Sequence, residues 1–302
     1  MIQRGIYTPV PTFFKKDLKT IDFETQAQHA QFLKDNGISG IIVMGSTGEL
    51  GHLTREERAQ VVSHIHKSVP DFPIFGGVSQ NCVEDALEEI SSLKKAGASH
   101  ALVLPSSYFG PSLKQQGLID WFIEVADRSE LPVLVYIYPG VTNNVVMEPS
   151  TVVTLSKHPN IVGTKISHGD VAHHAAIGLD PSVKAGQFTC LTGLGQILLP
   201  ALTVGFDGTV DALSGAFPKL YVNILNSYDS GDIGTAQRLQ WIAARGEELV
   251  VRFGVVGIKR AIQQATGFGE TYLGRAPLNQ DVVGWEQYEE HFTGCTDAEK
   301  ML

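Results

Sequence analysis

Short apolar runs alternate along the chain with longer stretches in which apolar residues recur every three or four positions. The first kind reads as buried strand and the second as amphipathic helix. Runs at 5–14, 38–44, 72–78, 100–104, 131–138, 188–191 and 209–213 are strand candidates. The stretch 160–170 reads as a further strand running into a loop and then a helix. Helical periodicity covers 22–34, 54–69, 83–95, 115–128, 149–157 and 197–204. Asp22 opens the first of these, and Thr54 followed by Glu57 forms a capping box for the second. Gly37, Gly97 and Gly205 each close a helix just before a strand, a faint internal repeat.

Eight strands alternating with helices predict an α/β fold of the (β/α)8 TIM-barrel type over residues 1–220. No G-x-G-x-x-G follows the first strand, which disfavours a dinucleotide-binding sheet. Beyond Pro218, helical patterns at 220–228, 232–250, 254–265 and 282–292 follow one another without a strand. Residues 221–302 therefore read as the last barrel helix plus a helical C-terminal extension packed on the barrel.

Composition narrows the picture. The 302 residues are 43% hydrophobic and 18% charged, enough for a large core. A formal charge of −9 argues against nucleic acid as a partner, since phosphate binding needs a basic face. Cys82, Cys190 and Cys295 are far apart and odd in number, which favours a reducing compartment. With no signal-like N-terminus and no apolar run of about 18 residues, the expectation is a cytoplasmic protein with no membrane partner.

Lys165 and three loops or strand ends are chemically unusual, and a barrel keeps its active site at the C-terminal ends of its strands. Lys165 shares a strand face with Ile161 and Gly163. A buried ammonium without a partner is costly, so this lysine is either paired with a carboxylate or kept neutral to attack a carbonyl. Gly45-Ser46-Thr47-Gly48-Glu49 ends the second strand with two hydroxyls between glycines. That turn suits a carboxylate or phosphate, or is an ordinary tight βα turn. Leu134, Tyr136 and Tyr138 share a face, so a phenol either points into the barrel mouth or is core with its hydroxyl satisfied. Tyr108 sits on a loop after the fourth strand, where an aromatic equally fits an interface. His168, His173 and His174 lack ligand spacing, and adjacent helical side chains point about 100° apart, so no metal site is expected.

Gly37 to Glu49, with its Gly-Ser-Thr-Gly-Glu ending, resembles the first signature of the dihydrodipicolinate synthase/N-acetylneuraminate lyase superfamily. Tyr136-Ile137-Tyr138-Pro139-Gly140-Val141-Thr142, followed by Gly163-Thr164-Lys165, resembles the second. Order and spacing agree over nearly the whole chain. The resemblance implies pyruvate chemistry through a lysine Schiff base, with no cofactor beyond that covalent imine and no metal. It assigns Lys165 as nucleophile, Tyr136 as the proton-shuttling tyrosine, Ser46 as the relay hydroxyl and Thr47 as the holder of the pyruvyl carboxylate. It further matches Tyr108 to a tyrosine that some members lend to a neighbouring subunit, which implies a homodimer or homotetramer. Val210 falls at the eighth-strand contact, and Asp211 and Ser214 just beyond it are candidates to meet substrate hydroxyls.

Departures narrow the substrate. Val141 stands where dihydrodipicolinate synthases carry an arginine, and Ile166 where an acidic residue usually follows the lysine. Leu194, Gly195 and Gln196 follow Gly193 where sialate lyases place acids. The preferred reading is an aldehyde-lyase that reversibly cleaves a 2-keto-3-deoxy sugar acid, such as 2-keto-3-deoxy-L-galactonate, to pyruvate and a hydroxy-aldehyde. Its partners are then a small keto acid and an aldehyde. A 4-hydroxy-2-oxoglutarate aldolase, a dihydrodipicolinate synthase acting on aspartate semialdehyde and a non-catalytic binding barrel are the alternatives.

Overall fold

A computed structural model describes residues 2–302. Eight parallel strands close on themselves in sequence order: β1 (Gly5–Pro9), β2 (Gly40–Val43), β3 (Ile74–Val78), β4 (His100–Val103), β5 (Val133–Ile137), β6 (Ile161–Ile166), β7 (Thr189–Thr192) and β8 (Gly208–Val210). Helices α1 (Phe23–Asp35), α2 (Arg55–Ser68), α3 (Val83–Ala96), α4 (Gln115–Arg128) and α5 (Pro149–Leu155) connect the first six strands. Two short helices, α6 (Val171–Gly178) and α7 (Pro181–Ala185), precede β7. Then α8 (Leu198–Thr203) leads to β8, and α9 (Pro218–Asp229) closes the ring.

The capping box of α2 is formed in both directions. The Glu57 amide donates to Thr54 Oγ1 (3.2 Å), and the Thr54 amide donates to Glu57 Oε2 (2.9 Å). Gly97 ends α3 with φ 108°, and a side chain there would also run into the ring of His66.

Strand alternation divides the apolar residues into two cores. Residues pointing outward pack under the helices, as Ile41, Val43, Val133 and Val135 do. Residues pointing inward fill the barrel, among them Tyr7, Ile42, Phe75, Leu102, Leu134, Tyr136, Leu191 and Val210. Tyr136 and Lys165 are register partners on β5 and β6, so the lysine joins this inner set beside the phenol.

The C-terminal extension differs from the periodicity in two places. Helix α10 (Ile233–Gly246) stops short of the expected 250, and helix α11 (Glu248–Thr266) starts at Glu248 rather than 254, with non-helical backbone at Gly254. The last helix, α12, spans Glu289–Met301 rather than 282–292. Gly284 is left-handed (φ 88°) and Val283 is 87% exposed, so no helix runs through 282–284, and of the two valines only Val282 packs against the core. Cys295 and Ala298 supply the buried stripe further along. Glu299 of α12 accepts from the amides of Lys219 and Leu220 (3.0 and 2.9 Å), fastening the extension to the start of α9. No helix among the described residues is long and apolar enough to cross a membrane.

Candidate active site

A cavity of about 410 Å³ opens at the C-terminal end of the barrel. Lys165, Tyr136, Ser46, Thr47, Val210 and Asp211 all line it. Its outer wall comes from the extension, through Glu247, Val250, Val251, Gly254, Val255 and Ile258. The barrel therefore supplies the polar floor and the helical extension supplies the largely apolar lid.

Lys165 is 5% exposed and its Nζ donates to the Tyr136 hydroxyl at 3.2 Å. The same Nζ lies 4.2 Å from the centroid of the Tyr136 ring, a cation–π distance. Among the described residues no carboxylate comes within 4 Å of it, since Lys165 takes part in none of the ion pairs. Space for the lysine stem depends on Gly193, where a Cβ would lie 3.0 Å from Lys165 Cε and collide with Ser167 Oγ. Tyr138 stands 6.0 Å from Tyr136, ring to ring, and burial pushes its hydroxyl pKa up.

Backbone strain shapes the Ser46–Thr47 turn. Met44 and Glu49, on either side of it, both hold left-handed φ (64° and 57°), which non-glycine residues seldom adopt. Two contacts hold the turn in place. Gly77 on β3 lies against the Met44 carbonyl too closely for any side chain, and Thr12 Oγ1 donates to the Gly48 carbonyl at 2.7 Å. Ser46 and Tyr136 also line a second, largely apolar cavity of about 360 Å³ that extends over Leu102, Leu104, Val141, Pro277 and Leu278.

Asp211 is buried at the end of β8. Its carboxylate accepts from the amides of Gly195 (3.2 Å) and Ser214 (2.9 Å). Glu247, from the junction of α10 and α11, lies beside the same carboxylate, close enough that a side chain at Gly195 would strike both, and accepts from the Tyr221 hydroxyl. Burial raises the pKa of both acids, and Asp211 raises that of Glu247 further. Glu247 was not singled out by the sequence reading. Its signal is an acid at helical spacing between Ala243 and Val250, on the face those apolar residues share.

Two candidates lie outside the cavity. Ser214 is fully buried behind it, donating to the Asp211 carbonyl (2.6 Å) and sharing a hydrogen bond with Thr8 Oγ1 (2.7 Å). Tyr108 is 76% exposed, its ring edge-on to Phe109 at 5.2 Å, on a loop held by Asn81 Oδ1. The histidines are tied to the backbone: His173 Nε2 donates to the Met147 carbonyl (2.8 Å) and His174 Nδ1 to the Asp170 carbonyl (2.7 Å). His168 packs on both rings, and burial pushes its pKa down to about 4. Among the described residues no group of three or more His, Cys, Asp or Glu side chains converges to hold a metal ion.

The chain is similar to an L-threo-3-deoxy-hexylosonate aldolase from Hypocrea jecorina, 32% identical over 99% of this chain and 98% of that one. A Coccidioides immitis protein, assigned provisionally as a mitochondrial 4-hydroxy-2-oxoglutarate aldolase, is 34% identical over 81% of this chain and 78% of its own. Among solved structures, a prophage protein of the dihydrodipicolinic acid synthase family from E. coli K12, in complex with pyruvate, superposes with a TM-score of 0.87. It is 26% identical, with all of both chains covered. Residues 3–284 match the Dihydrodipicolinate synthetase family. A closed barrel with a lysine and a tyrosine paired at its mouth, a helical extension over that mouth and a match spanning almost the full length place this chain in the dihydrodipicolinate synthetase family.

Proposed function

We propose that the chain is a class I pyruvate aldolase that cleaves a six-carbon 2-keto-3-deoxy sugar acid to pyruvate and a hydroxy-aldehyde. The observation that carries this reading is the Lys165–Tyr136 contact at 3.2 Å inside a cavity that also holds Ser46 and Thr47. A buried lysine facing a phenol rather than a carboxylate suits an amine that must lose its proton to react. The relatives' names, a 3-deoxy-hexylosonate aldolase and a 4-hydroxy-2-oxoglutarate aldolase, support the same bond being broken.

In this mechanism Lys165 Nζ attacks the keto carbon and water leaves, giving a protonated imine. The imine draws electrons from the C3–C4 bond, which breaks to an enamine as the C4 hydroxyl loses its proton and becomes the aldehyde. Tyr136, with Ser46 beside it, receives that proton and returns it toward C3. Water then hydrolyses the imine, releasing pyruvate and the free lysine. Thr47 and the strained turn hold the pyruvyl carboxylate, and Val210 lines the opposite wall. The imine is itself the electron sink, so no step in this scheme calls on a metal or a second cofactor.

Val141, 43% exposed at the rim, offers no charge to grip the carboxylate of aspartate semialdehyde, which supports a sugar acid over that aldehyde. The exposed Tyr108–Phe109 pair supports a homodimer or homotetramer in which this loop meets a second copy. A cytoplasmic location is part of the same reading. Borohydride reduction in the presence of pyruvate is expected to add the pyruvyl mass at Lys165. A panel of 2-keto-3-deoxy acids, assayed by pyruvate release, is expected to favour a six-carbon member. An unmodified Lys165 in the first experiment would sink the proposal.

A further inference from the structure

Asp211 and Glu247 are a buried acid pair in the wall of a cavity that also holds a lysine, and the aldol scheme uses neither. Asp211 already accepts two backbone amides and lies against the Glu247 carboxyl, so little of its hydrogen-bonding capacity remains for a substrate hydroxyl. Glu247 is held by Tyr221 on its other side. A side chain at position 195 would strike Asp211 Oδ1, Glu247 Oε1 and the Tyr221 ring together, so Gly195 is what lets these three groups meet. Lys165 from β6, Tyr221 from α9 and Cys295 from α12 are the titratable groups facing the pair.

We infer that Asp211 and Glu247 hold one proton between them, leaving a single fixed negative charge whose function is to stabilise the cationic imine at Lys165. Two carboxylates this close cannot both ionise, and the acceptor with two amide donors is the one that keeps the charge. Asp211 is therefore the anion and Glu247 the acid that donates to it. Both are positioning residues that act on the lysine through its charge. They also link the chemistry to the extension, because Glu247 sits where α10 meets α11. The inference rests on the Schiff-base reading.

The test measures borohydride trapping of pyruvate at Lys165 as a function of pyruvate concentration, on the full chain. Asp211→Asn removes the charge but keeps an acceptor oxygen, and is expected to raise half-saturating pyruvate about tenfold or more, as a one-unit fall in the imine's proton affinity requires. Glu247→Gln keeps a neutral donor to Asp211 and is expected to raise it by less. If Asp211→Asn traps like the parent, or both variants shift equally, the pair's role is overturned while the Schiff-base reading stands. A parent that traps nothing at Lys165 overturns the reading, and the pair's role with it.

Thermal melting against pH gives a check that does not depend on turnover or on the folding of Asp211→Asn. Glu247 keeps its proton in the folded state above its ordinary value of 4.5. The resulting stability is fully present below that value and is lost as pH rises toward the raised one. Above about pH 5 the parent is expected to lose Tm more steeply with rising pH than Glu247→Gln. Equal slopes would overturn the shared proton.

Discussion

Among the described residues two lysines are buried, and their environments differ in what they leave free. Lys259 on α11 is 1% exposed and fully partnered: its Nζ donates to Glu49 Oε1 and to the Leu273 carbonyl, both at 2.9 Å. It also lies 4.7 Å from the centroid of the Phe14 ring. Burial pulls its pKa below the ordinary value while Glu49 works against that pull. Lys165 is buried nearly as well, but its polar partner is a phenol and it faces a cavity. A lysine locked to a carboxylate and a carbonyl joins two parts of the fold. A lysine beside a phenol and open space is available to form a bond.

That contrast gives its own tests. The largest effect is expected from Lys165→Ala, which should lower pyruvate release at least about 10⁴-fold with an unchanged melting profile. Turnover within tenfold of the parent would end the distinction between the two lysines. Lys259→Met should do the opposite, leaving Glu49 buried with only the His52 imidazole, 3.5 Å away, as a partner, at a cost of about 3–5 kcal/mol in denaturant unfolding. Replacing Glu49 by Leu in the same chain should recover much of that loss, because it removes the stranded charge. A double variant as unstable as the single one would mean that the pair is not the cause.

Tyr136→Phe comes next: it keeps the ring under Lys165 and deletes the hydroxyl. The expected fall in kcat is about 10²- to 10³-fold, with pyruvate still trapped at Lys165. Loss of trapping as well would make Tyr136 part of lysine activation rather than of proton transfer alone. The smallest effect is expected from Gly193→Ala, whose methyl crowds Lys165 Cε and Ser167 Oγ and should cost about tenfold in kcat/KM through a displaced lysine. An unchanged rate would show that the lysine stem has room to move.

Much of the candidate site is legible in the sequence, because it lies at strand ends and strands have a simple period. The face shared by Leu134, Tyr136 and Tyr138, and that shared by Gly163 and Lys165, follow from alternation alone. Ile161 does not join the latter: a bulge where Val133 and Leu134 pair with Ile161 and Gly163 turns it to the outer core. Alternation could not say that Tyr136 and Lys165 sit side by side, because register between strands is a long-range property. The opening alternative for Lys165, a carboxylate partner, describes Lys259 instead. Its partner Glu49 stands 210 residues away, in the turn read for its hydroxyls. Separation in sequence also hid Glu247, which reads as one more polar residue in a helix until α11 folds back over the barrel mouth.

The sequence by itself determined the strand–helix alternation, the count that closes a barrel, the caps that start and stop helices, and the residue types at the strand ends. All of these depend on neighbours within a few positions, where steric and hydrogen-bonding preferences act. Tertiary structure decided which buried charge finds a partner. It gave Glu49 to Lys259, a phenol to Lys165 and a second acid to Asp211. It also put Ser214 behind the cavity and left Tyr108 on the surface. Whether a buried charge is structural or reactive depends on what lies within a few ångströms of it, and here those groups come from segments far apart in the chain.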